Sequence, residues 1–216
     1  LNIVDVRSAD AFAAGHIPAA RNVPAPAFNE ALKQPATLRP RLEAEGLQPA
    51  HETVIVSERG LDKSSALAFL ALQSLDLPRV SVLMTGTDEW ALRGLPWEKQ
   101  ATVATPAAPT RIAAGSRAVT TTLAEAAGPV PRVYIASGTA LPSEALAAKV
   151  IHLPANRLVN EDGSVKPAAD LWAVISKAGV PRHAQLVFVA DDVGESAMNY
   201  YVFQLMGYPN LRVLLR

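Results

Sequence analysis

Short apolar runs alternate with stretches of helical periodicity along the first half of the chain. Asn2–Val6, Thr53–Val56 and Arg79–Leu83 are too short for helices and are rich in β-branched residues, so they predict strands. Leu67 and Leu70 fall three positions apart in the segment after the second run and predict a helix there. Strands that alternate with helices pair in parallel, so the pattern predicts an α/β fold.

Glycine, proline and serine mark where the predicted elements begin and end. After Pro24 we expect a polar, proline-punctuated connection, then a helix over Leu38–Glu45 that stops at Gly46. Ser64 and Ser65 are the predicted caps of the following helix. Gly86–Gly94 predicts a loop and a closing helix.

The second half repeats this order of elements at an offset of roughly 130 residues. Thr53–Glu58 aligns with Leu186–Asp191, and a helix follows whose predicted apolar face carries Met198, Tyr201, Val202 and Leu205. Residues 101–114 are rich in Ala, Thr and Pro and predict a linker. We therefore predict two domains, over residues 1–100 and 115–216, each a small, mainly parallel sheet flanked by helices.

Composition narrows the functional classes. Half of the 216 residues are hydrophobic and the formal net charge is zero, so a large core is available and a nucleic-acid partner has no electrostatic support. No apolar run is long enough to cross a bilayer, and we expect a soluble protein with no membrane partner, cytoplasmic or periplasmic. Leu1 already lies in a predicted strand and is not an initiating Met, so we expect a fragment or a processed form.

The chain contains no cysteine. Disulfides, thiolate metal sites and every cysteine-based covalent mechanism are therefore excluded. The loop between the Thr53–Val56 strand and its helix is polar, and its backbone N–H groups lie beside the positive end of the helix dipole. Such a loop is predicted to attract a small anion.

The N-terminal residues carry a specific pattern: Val4-Asp5-Val6-Arg7, then Phe12, then Gly15-His16-Ile17-Pro18-Ala19-Ala20-Arg21-Asn22-Val23-Pro24. This pattern, with the loop and Gly86–Trp90 in their expected places, resembles rhodanese-like sulfurtransferase domains. The resemblance implies a tandem pair of rhodanese-like domains over nearly the whole chain. It also implies that Asp5, Arg7 and His16 are structural braces. The second copy is more degenerate, with Val133–Ser137 where the family's Asp and Arg would be.

In that family the first residue of a six-residue loop is a cysteine that accepts a sulfane sulfur. By the alignment, that position is Glu58 in the first copy and Asp191 in the second. Neither carboxylate can carry a persulfide. The degenerate loop positions are Glu58, Arg59, Gly60, Leu61, Asp62 and Lys63 in the first copy, and Asp191, Asp192, Val193, Gly194, Glu195 and Ser196 in the second.

Several chemical roles compete at these positions. The Glu58 carboxylate either fills the loop itself, in place of the persulfide anion, or points into solvent; both remain open. Asp191, Asp192 and Glu195 lack the spaced ligands of a cation site, so we predict no metal and no cofactor. A hydrolase based on Ser57 or Ser196 is disfavoured, because no histidine is close in sequence.

Other polar and aromatic residues receive structural interpretations. Arg59 and Lys63 are expected to be solvated surface cations. The histidines show no metal-ligand spacing. Trp90, Trp97 and Trp172 are expected in core or linker packing.

The functional hypothesis follows from the missing cysteine. We expect a catalytically inactive rhodanese-like protein, acting as a binding or scaffold module or as the inactive part of a larger sulfurtransferase. An unknown protein partner and a small anion are both candidate ligands. The alternative is an active sulfurtransferase that relies on regions or chains not present in this sequence.

Overall fold

The structure is a computed structural model that describes residues 1–75, 77, 79–99, 112, 117–123, 125, 128–138 and 149–215. The chain divides into two compact units, Leu1–Arg117 and Ala118–Arg216. The predicted linker, residues 101–114, lies outside the described residues apart from Ile112. That residue is buried, and its backbone N–H donates to Glu43 Oε1 of the first unit at 2.8 Å.

The first unit is built on a four-stranded parallel sheet with the order β2-β1-β3-β4. Helices connect the strands, as parallel pairing requires. In chain order the elements are β1 (Asn2–Asp5), α1 (Ala9–Ala14), β2 (Arg21–Asn22), α2 (Ala25–Lys33), a 3₁₀ turn (Pro35–Thr37), α3 (Leu38–Ala44), β3 (Thr53–Val56), α4 (Lys63–Ser74), β4 (Val80–Val82) and α5 (Thr87–Leu92).

The second unit is built on a five-stranded parallel sheet with the order β5-β9-β8-β6-β7. In chain order its described elements are β5 (Thr120–Thr121), β6 (Arg132–Ala136), β7 (Lys149–His152), a 3₁₀ turn (Ala155–Arg157), α6 (Ala168–Lys177), β8 (Gln185–Val189), α7 (Val193–Leu205) and β9 (Leu211–Leu214). The fold class is thus confirmed: two parallel sheets flanked by helices.

Equivalent strands in the two sheets are hydrogen-bonded in the same register. Val6 N–H donates to Val56 O at 3.0 Å, and Ser137 N–H donates to Val189 O at 3.0 Å in the same place. The bond that joins β2 to β1 recurs as well, from Leu153 N–H to Ala136 O at 2.9 Å. Strand β5 pairs with the outer side of β9 and has no equivalent among the described residues of the first unit.

Helix α2 lies where the sequence predicted only a polar connection. Pro24 is its N-cap, with extended backbone, and Pro26 lies in its first turn, where a missing N–H costs nothing. Phe28, Ala31 and Leu32 are its buried residues, with the three- and four-residue spacing of an apolar helix face. This spacing was present in the sequence and was obscured by the flanking prolines.

Two further predictions about helices need correction. On the predicted face of α7, Tyr201 and Val202 are buried, whereas Leu205 is 58% exposed and Met198 is half-buried; Tyr200 and Phe203, outside that face, are buried as well. Trp172 is also outside the core, since it is 47% exposed on α6. Helix α7 is buried around most of its circumference, so no single apolar stripe marks its inner face.

Candidate functional site

The connection from β3 to α4 is a closed loop held by two serines. Ser57 Oγ donates to Gly60 O at 2.6 Å, and Ser65 Oγ donates to the same carbonyl at 2.9 Å. Both serines are buried, and Gly60 adopts a left-handed backbone at φ +74° that favours glycine. Polar contacts inside the loop therefore fix its shape.

Asp62, and not Ser64 or Ser65, caps helix α4. Its Oδ1 accepts from Ser65 N–H at 2.8 Å, and its own N–H donates to Ser65 Oγ at 2.9 Å. This reciprocal pair is a capping box. Lys63, predicted to end the loop, is the first helical residue. The caps were misassigned because an Asp-x-x-Ser box resembles a Ser-Ser start in sequence.

Glu58 lies at the first loop position with an exposed side chain. Among the described residues the structure records no hydrogen bond or ion pair for its carboxylate. The exposure of Glu58 favours the alternative in which its carboxylate points into solvent over the one in which it fills the loop, and both stay predictions. Within the same described part, no acceptor is recorded for the backbone N–H groups of Arg59, Gly60 and Leu61.

The backbone of this loop packs against the start of α5. Thr87 N–H donates to Ser57 O at 3.1 Å. A Cβ atom added to Gly86 would lie 2.1 Å from Glu58 O and 2.8 Å from Arg59 Cα, so a side chain here would force one of the two backbones to shift. Glycine at position 86 thus allows the two segments to touch.

The N-terminal motif forms a buried polar cluster beside this loop. Asp5 is fully buried and accepts from Arg7 Nε at 3.0 and 3.1 Å and from Arg7 Nη2 at 2.6 Å. Arg7 Nη2 also donates to Gly15 O at 2.8 Å. Asn22 Nδ2 donates to the carbonyls of Asp5 and Arg7 at 3.1 and 3.0 Å. The motif therefore ties β1 to the segment before β2.

His16 is fully buried in the same motif. Its ring stacks on Phe12, with centroids 3.8 Å apart, and Nδ1 lies 2.9 Å from Phe12 O. Its backbone forms a two-way bridge with Glu98, and Nε2 lies 3.6 Å from Glu98 Oε1. No sequence signal pointed to Glu98, because its partner is remote along the chain.

A cavity of about 700 Å³ lies between the N-terminal motif and the loop. Arg7 and Trp97 line it from the motif side, with the Arg7 guanidinium carbon 5.4 Å from the Trp97 ring centre. Glu58, Asp62 and Asp88 line it from the loop side and from α5. Trp97 was expected in packing only, and Asp88 was not singled out at all.

The charge of this cavity is mainly negative. Its lining includes the carboxylates of Glu58, Asp62 and Asp88. Arg7 is the one lining residue with a positive charge among those described, and its guanidinium is paired with the buried carboxylate of Asp5. The described lining therefore carries a net negative charge, which disfavours an anionic ligand.

The second unit has a shorter connection at the equivalent place. Strand β8 ends at Val189, and Asp192 already caps α7 by accepting from Gly194 N–H at 2.8 Å. The six predicted loop positions are therefore not a loop. Asp191 and Asp192 precede the helix, while Val193, Gly194, Glu195 and Ser196 form its first turn.

A buried polar cluster lies beneath this second connection. Asn199 Nδ2 donates to Ser137 Oγ at 2.8 Å and to Leu153 O at 3.0 Å. Asn199 is fully buried, and Ser196 is 1% exposed. Ser137 occupies the position of Val6 in the first unit, so the second sheet has a polar residue where the first has an apolar one.

Two further findings concern other possible sites. In the described part of the chain, no three His, Asp or Glu side chains come together as a metal would require. The helices described there include none with the length and apolar character needed to cross a membrane.

Comparisons of sequence place the first unit among known domains. Residues 1–93 match the family model described as "Rhodanese-like domain". A protein of Synechococcus elongatus named "Putative thiosulfate sulfurtransferase" is 34% identical over 97 residues, which covers 39% of this chain and 30% of that protein. The chain therefore spans less than a third of that relative.

Comparisons of structure cover both units. SseA from Escherichia coli, from a structural study of 3-mercaptopyruvate sulfotransferases, is 18% identical with a TM-score of 0.78, over 99% of this chain and 90% of that one. The anaerobic ergothioneine biosynthesis enzyme from Chlorobium limicola is 16% identical with a TM-score of 0.79, over 99% of this chain and 60% of that one. At these identities the likeness shows the rhodanese fold. The family match covers residues 1–93, less than half of the chain, and places a rhodanese-like domain in the first unit.

Proposed function

We propose that this chain is a catalytically inactive rhodanese-like protein whose first unit binds a ligand without carrying sulfur on the loop. One observation supports the proposal above the others: Glu58 lies at the first loop position as an exposed carboxylate beside a cavity of about 700 Å³. A carboxylate cannot carry a persulfide, and the sequence contains no cysteine that would supply a thiolate in its place.

The charges of the cavity argue against an anionic sulfur donor. Thiosulfate carries two negative charges and would meet three lining carboxylates, from Glu58, Asp62 and Asp88. Arg7 offers little compensation, because Asp5 already neutralises it. The cavity retains a rhodanese-like frame while its electrostatics favour neutral or cationic ligands.

We also propose that the two units are tandem copies of one domain, over residues 1–100 and 115–216, joined by residues 101–114. The shared hydrogen-bond register of the two sheets supports this division. The contact of Ile112 with Glu43 indicates that the end of the linker packs on the first unit.

The deciding experiment measures sulfur transfer in the chain as it stands and in Glu58→Cys. The unaltered chain, incubated with thiosulfate and cyanide, is expected to give thiocyanate at the level of a heat-inactivated sample. Glu58→Cys introduces the only thiol and removes one carboxylate. We expect a persulfide anion there to accept from the N–H groups of Arg59, Gly60 and Leu61, which have no recorded acceptor within the described part of the chain. Intact-mass spectrometry after incubation with thiosulfate is expected to show one added sulfur atom.

Glu58→Ser is the matched control, because it removes the same charge without adding a thiol. It is expected to show neither added sulfur nor thiocyanate. Turnover by the unaltered chain above the heat-inactivated control would overturn the proposal. It would favour an active sulfurtransferase, and turnover only after regions or chains absent from this sequence are added would favour the alternative that depends on them. A Glu58→Cys chain that stays free of sulfur would show that the loop has lost its shape along with its cysteine.

A further inference from the structure

The second unit contains a basic groove that is separate from the first-unit cavity. This groove has a volume of about 390 Å³ and lies between the end of β7, the 3₁₀ turn that follows it and helix α6. Two cationic residues, Arg157 and Lys177, line it together with His152, and its apolar lining includes Leu153, Pro154 and Val174.

Buried contacts hold the two walls of the groove. Leu153 O accepts from Asn199 Nδ2 at 3.0 Å and from Ser137 Oγ at 3.2 Å, so the chain after β7 is fixed to the unit's interior. The turn that carries Arg157 is closed by its N–H, which donates to Pro154 O at 3.0 Å. On the opposite wall, Ile175 is fully buried and anchors α6. The groove is thus formed before any ligand arrives.

The groove's charge is positive and uncompensated. None of the described residues that line it is acidic. For the side chains of His152, Arg157 and Lys177, the structure records no hydrogen bond or ion pair with any of the described residues. The carbonyl of Val174, near the end of α6, already accepts from Ala178 N–H at 3.0 Å. The strongest groups at the groove without a recorded partner are therefore the Arg157 and Lys177 side chains, with the His152 imidazole beside them.

We propose that this groove binds a small organic phosphate monoester. A phosphate group carries between one and two negative charges at neutral pH and offers three oxygens as acceptors. Those oxygens match donors that arrive from three different segments, and the Arg157 guanidinium can bind two of them at once. The apolar lining formed by Leu153, Pro154 and Val174 accepts the organic part of the ligand.

The test uses the whole chain labelled with ¹⁵N and titrated with phenyl phosphate, inorganic phosphate and benzoate. Phenyl phosphate is expected to bind saturably, with amide shifts confined to Leu153–Arg157 and Val174–Ala178. Benzoate has the ring with a single charge and two oxygens, and is expected to bind at least about fivefold more weakly. Inorganic phosphate lacks the ring and is expected to bind more weakly than phenyl phosphate.

Variants separate the groove from general attraction to positive charge. Arg157→Ala and Lys177→Ala are each expected to weaken phenyl phosphate binding about fivefold, since both residues are exposed and each loses one charge contact. Lys166→Ala removes a cation that does not line the groove and is expected to leave the affinity within about twofold of the original. Both groove variants should keep the unfolding midpoint of the parent chain.

The alternative outcomes overturn the proposal. Absence of saturation by phenyl phosphate would remove the site. Equal affinity for benzoate would refute a phosphate ligand, and equal affinity for inorganic phosphate would refute an organic one. If Lys166→Ala weakened phenyl phosphate binding as much as Arg157→Ala does, the binding would come from the general positive charge of the unit and not from the groove. Shifts at Glu58–Leu61 instead would place the anion on the first-unit loop.

Discussion

The buried ion pair between Asp5 and Arg7 offers the sharpest test of how the first unit holds its site together. The Asp5 side chain is fully buried, while 12% of the Arg7 side chain is exposed. In Arg7→Ala, the Asp5 carboxylate keeps the backbone N–H of residue 7, which donates at 3.0 Å, and loses every guanidinium donor. A charge would then remain in the interior without a partner.

The loss of unfolding free energy in each variant depends on which of the two charges is left without its partner. Removing one member of a buried pair costs about 3 to 5 kcal/mol of unfolding free energy, because the other charge is left uncompensated. Arg7→Ala should reach this range. Asp5→Ala should cost less, since the Arg7 guanidinium is partly exposed and keeps Gly15 O as an acceptor at 2.8 Å. In the double variant no charge is stranded, so its cost should be clearly below the sum of the single costs.

Urea unfolding followed by tryptophan fluorescence measures these costs. Trp90 and Trp97 belong to the first unit and Trp172 to the second, so a Trp172→Phe background makes the signal specific for the first unit. With a slope of about 2 kcal/mol per molar urea, Arg7→Ala should lower the midpoint by roughly 2 M. Arg93→Ala is the matched control: it breaks an exposed pair with Glu89 and should cost less than about 1 kcal/mol.

Two results would refute this reasoning. A cost for Arg7→Ala no larger than that of Arg93→Ala would mean that water reaches Asp5 and that the carboxylate is not stranded. Single costs that add up in the double variant would mean that the two side chains do not stabilise each other.

Three further predictions concern other parts of the chain. Gly86→Ala should lower the stability of the first unit by about 1 to 3 kcal/mol in urea unfolding followed by far-UV circular dichroism, because its Cβ would meet Glu58 O at 2.1 Å, whereas Gly128→Ala in the second unit has open space and should change little in the same measurement. Hydrogen bonds from the Ser164 hydroxyl and N–H lower the pKa of Asp162, so an NMR titration of Ser164→Ala should show that pKa rising towards its usual value. Because the lowered pKa stabilises the folded state above the unfolded pKa and this is lost as pH falls through the folded one, Ser164→Ala should be less sensitive to acid. Asp191→Cys should gain no sulfur atom by intact-mass spectrometry under conditions where Glu58→Cys does, and a stable adduct would contradict the structure of the second connection.

The sequence alone was sufficient to predict the helices and strands whose buried residues recur periodically or follow one another without a break. Strands β1, β3 and β4 are short and rich in β-branched residues, and they pair in the order that alternation with helices requires. The repeat was recognisable because the same strand, connection and helix recur. Helix α2 was missed because Pro24 and Pro26 look like breakers, although a proline in the first turn is compatible with a helix.

The candidate site was only partly predictable. The loop and the residues of the N-terminal motif are local in sequence, so their positions could be named in advance. Asp88 and Trp97 join the cavity through tertiary packing, which brings α5 and the segment after it to the loop. The close approach of Gly86 to the backbone of Glu58 was equally out of reach, because the two residues are remote along the chain.

The two connections differ in a way that the alignment concealed and that determines what each unit can do. Five residues separate the end of β3 at Val56 from the cap Asp62, whereas two residues separate the end of β8 at Val189 from the cap Asp192. A residue spans at most about 3.5 Å, so two residues cannot arrange a ring of amides around an anion, and five can. The aligned acidic residues therefore lie in unequal settings: Glu58 on a loop that keeps its frame, Asp191 on a tight link into a helix. The second unit has instead a polar interior around Asn199, which fixes Leu153 and with it one wall of the basic groove. The short connection leads directly into α7, and Asn199 of the same helix holds the wall of the groove.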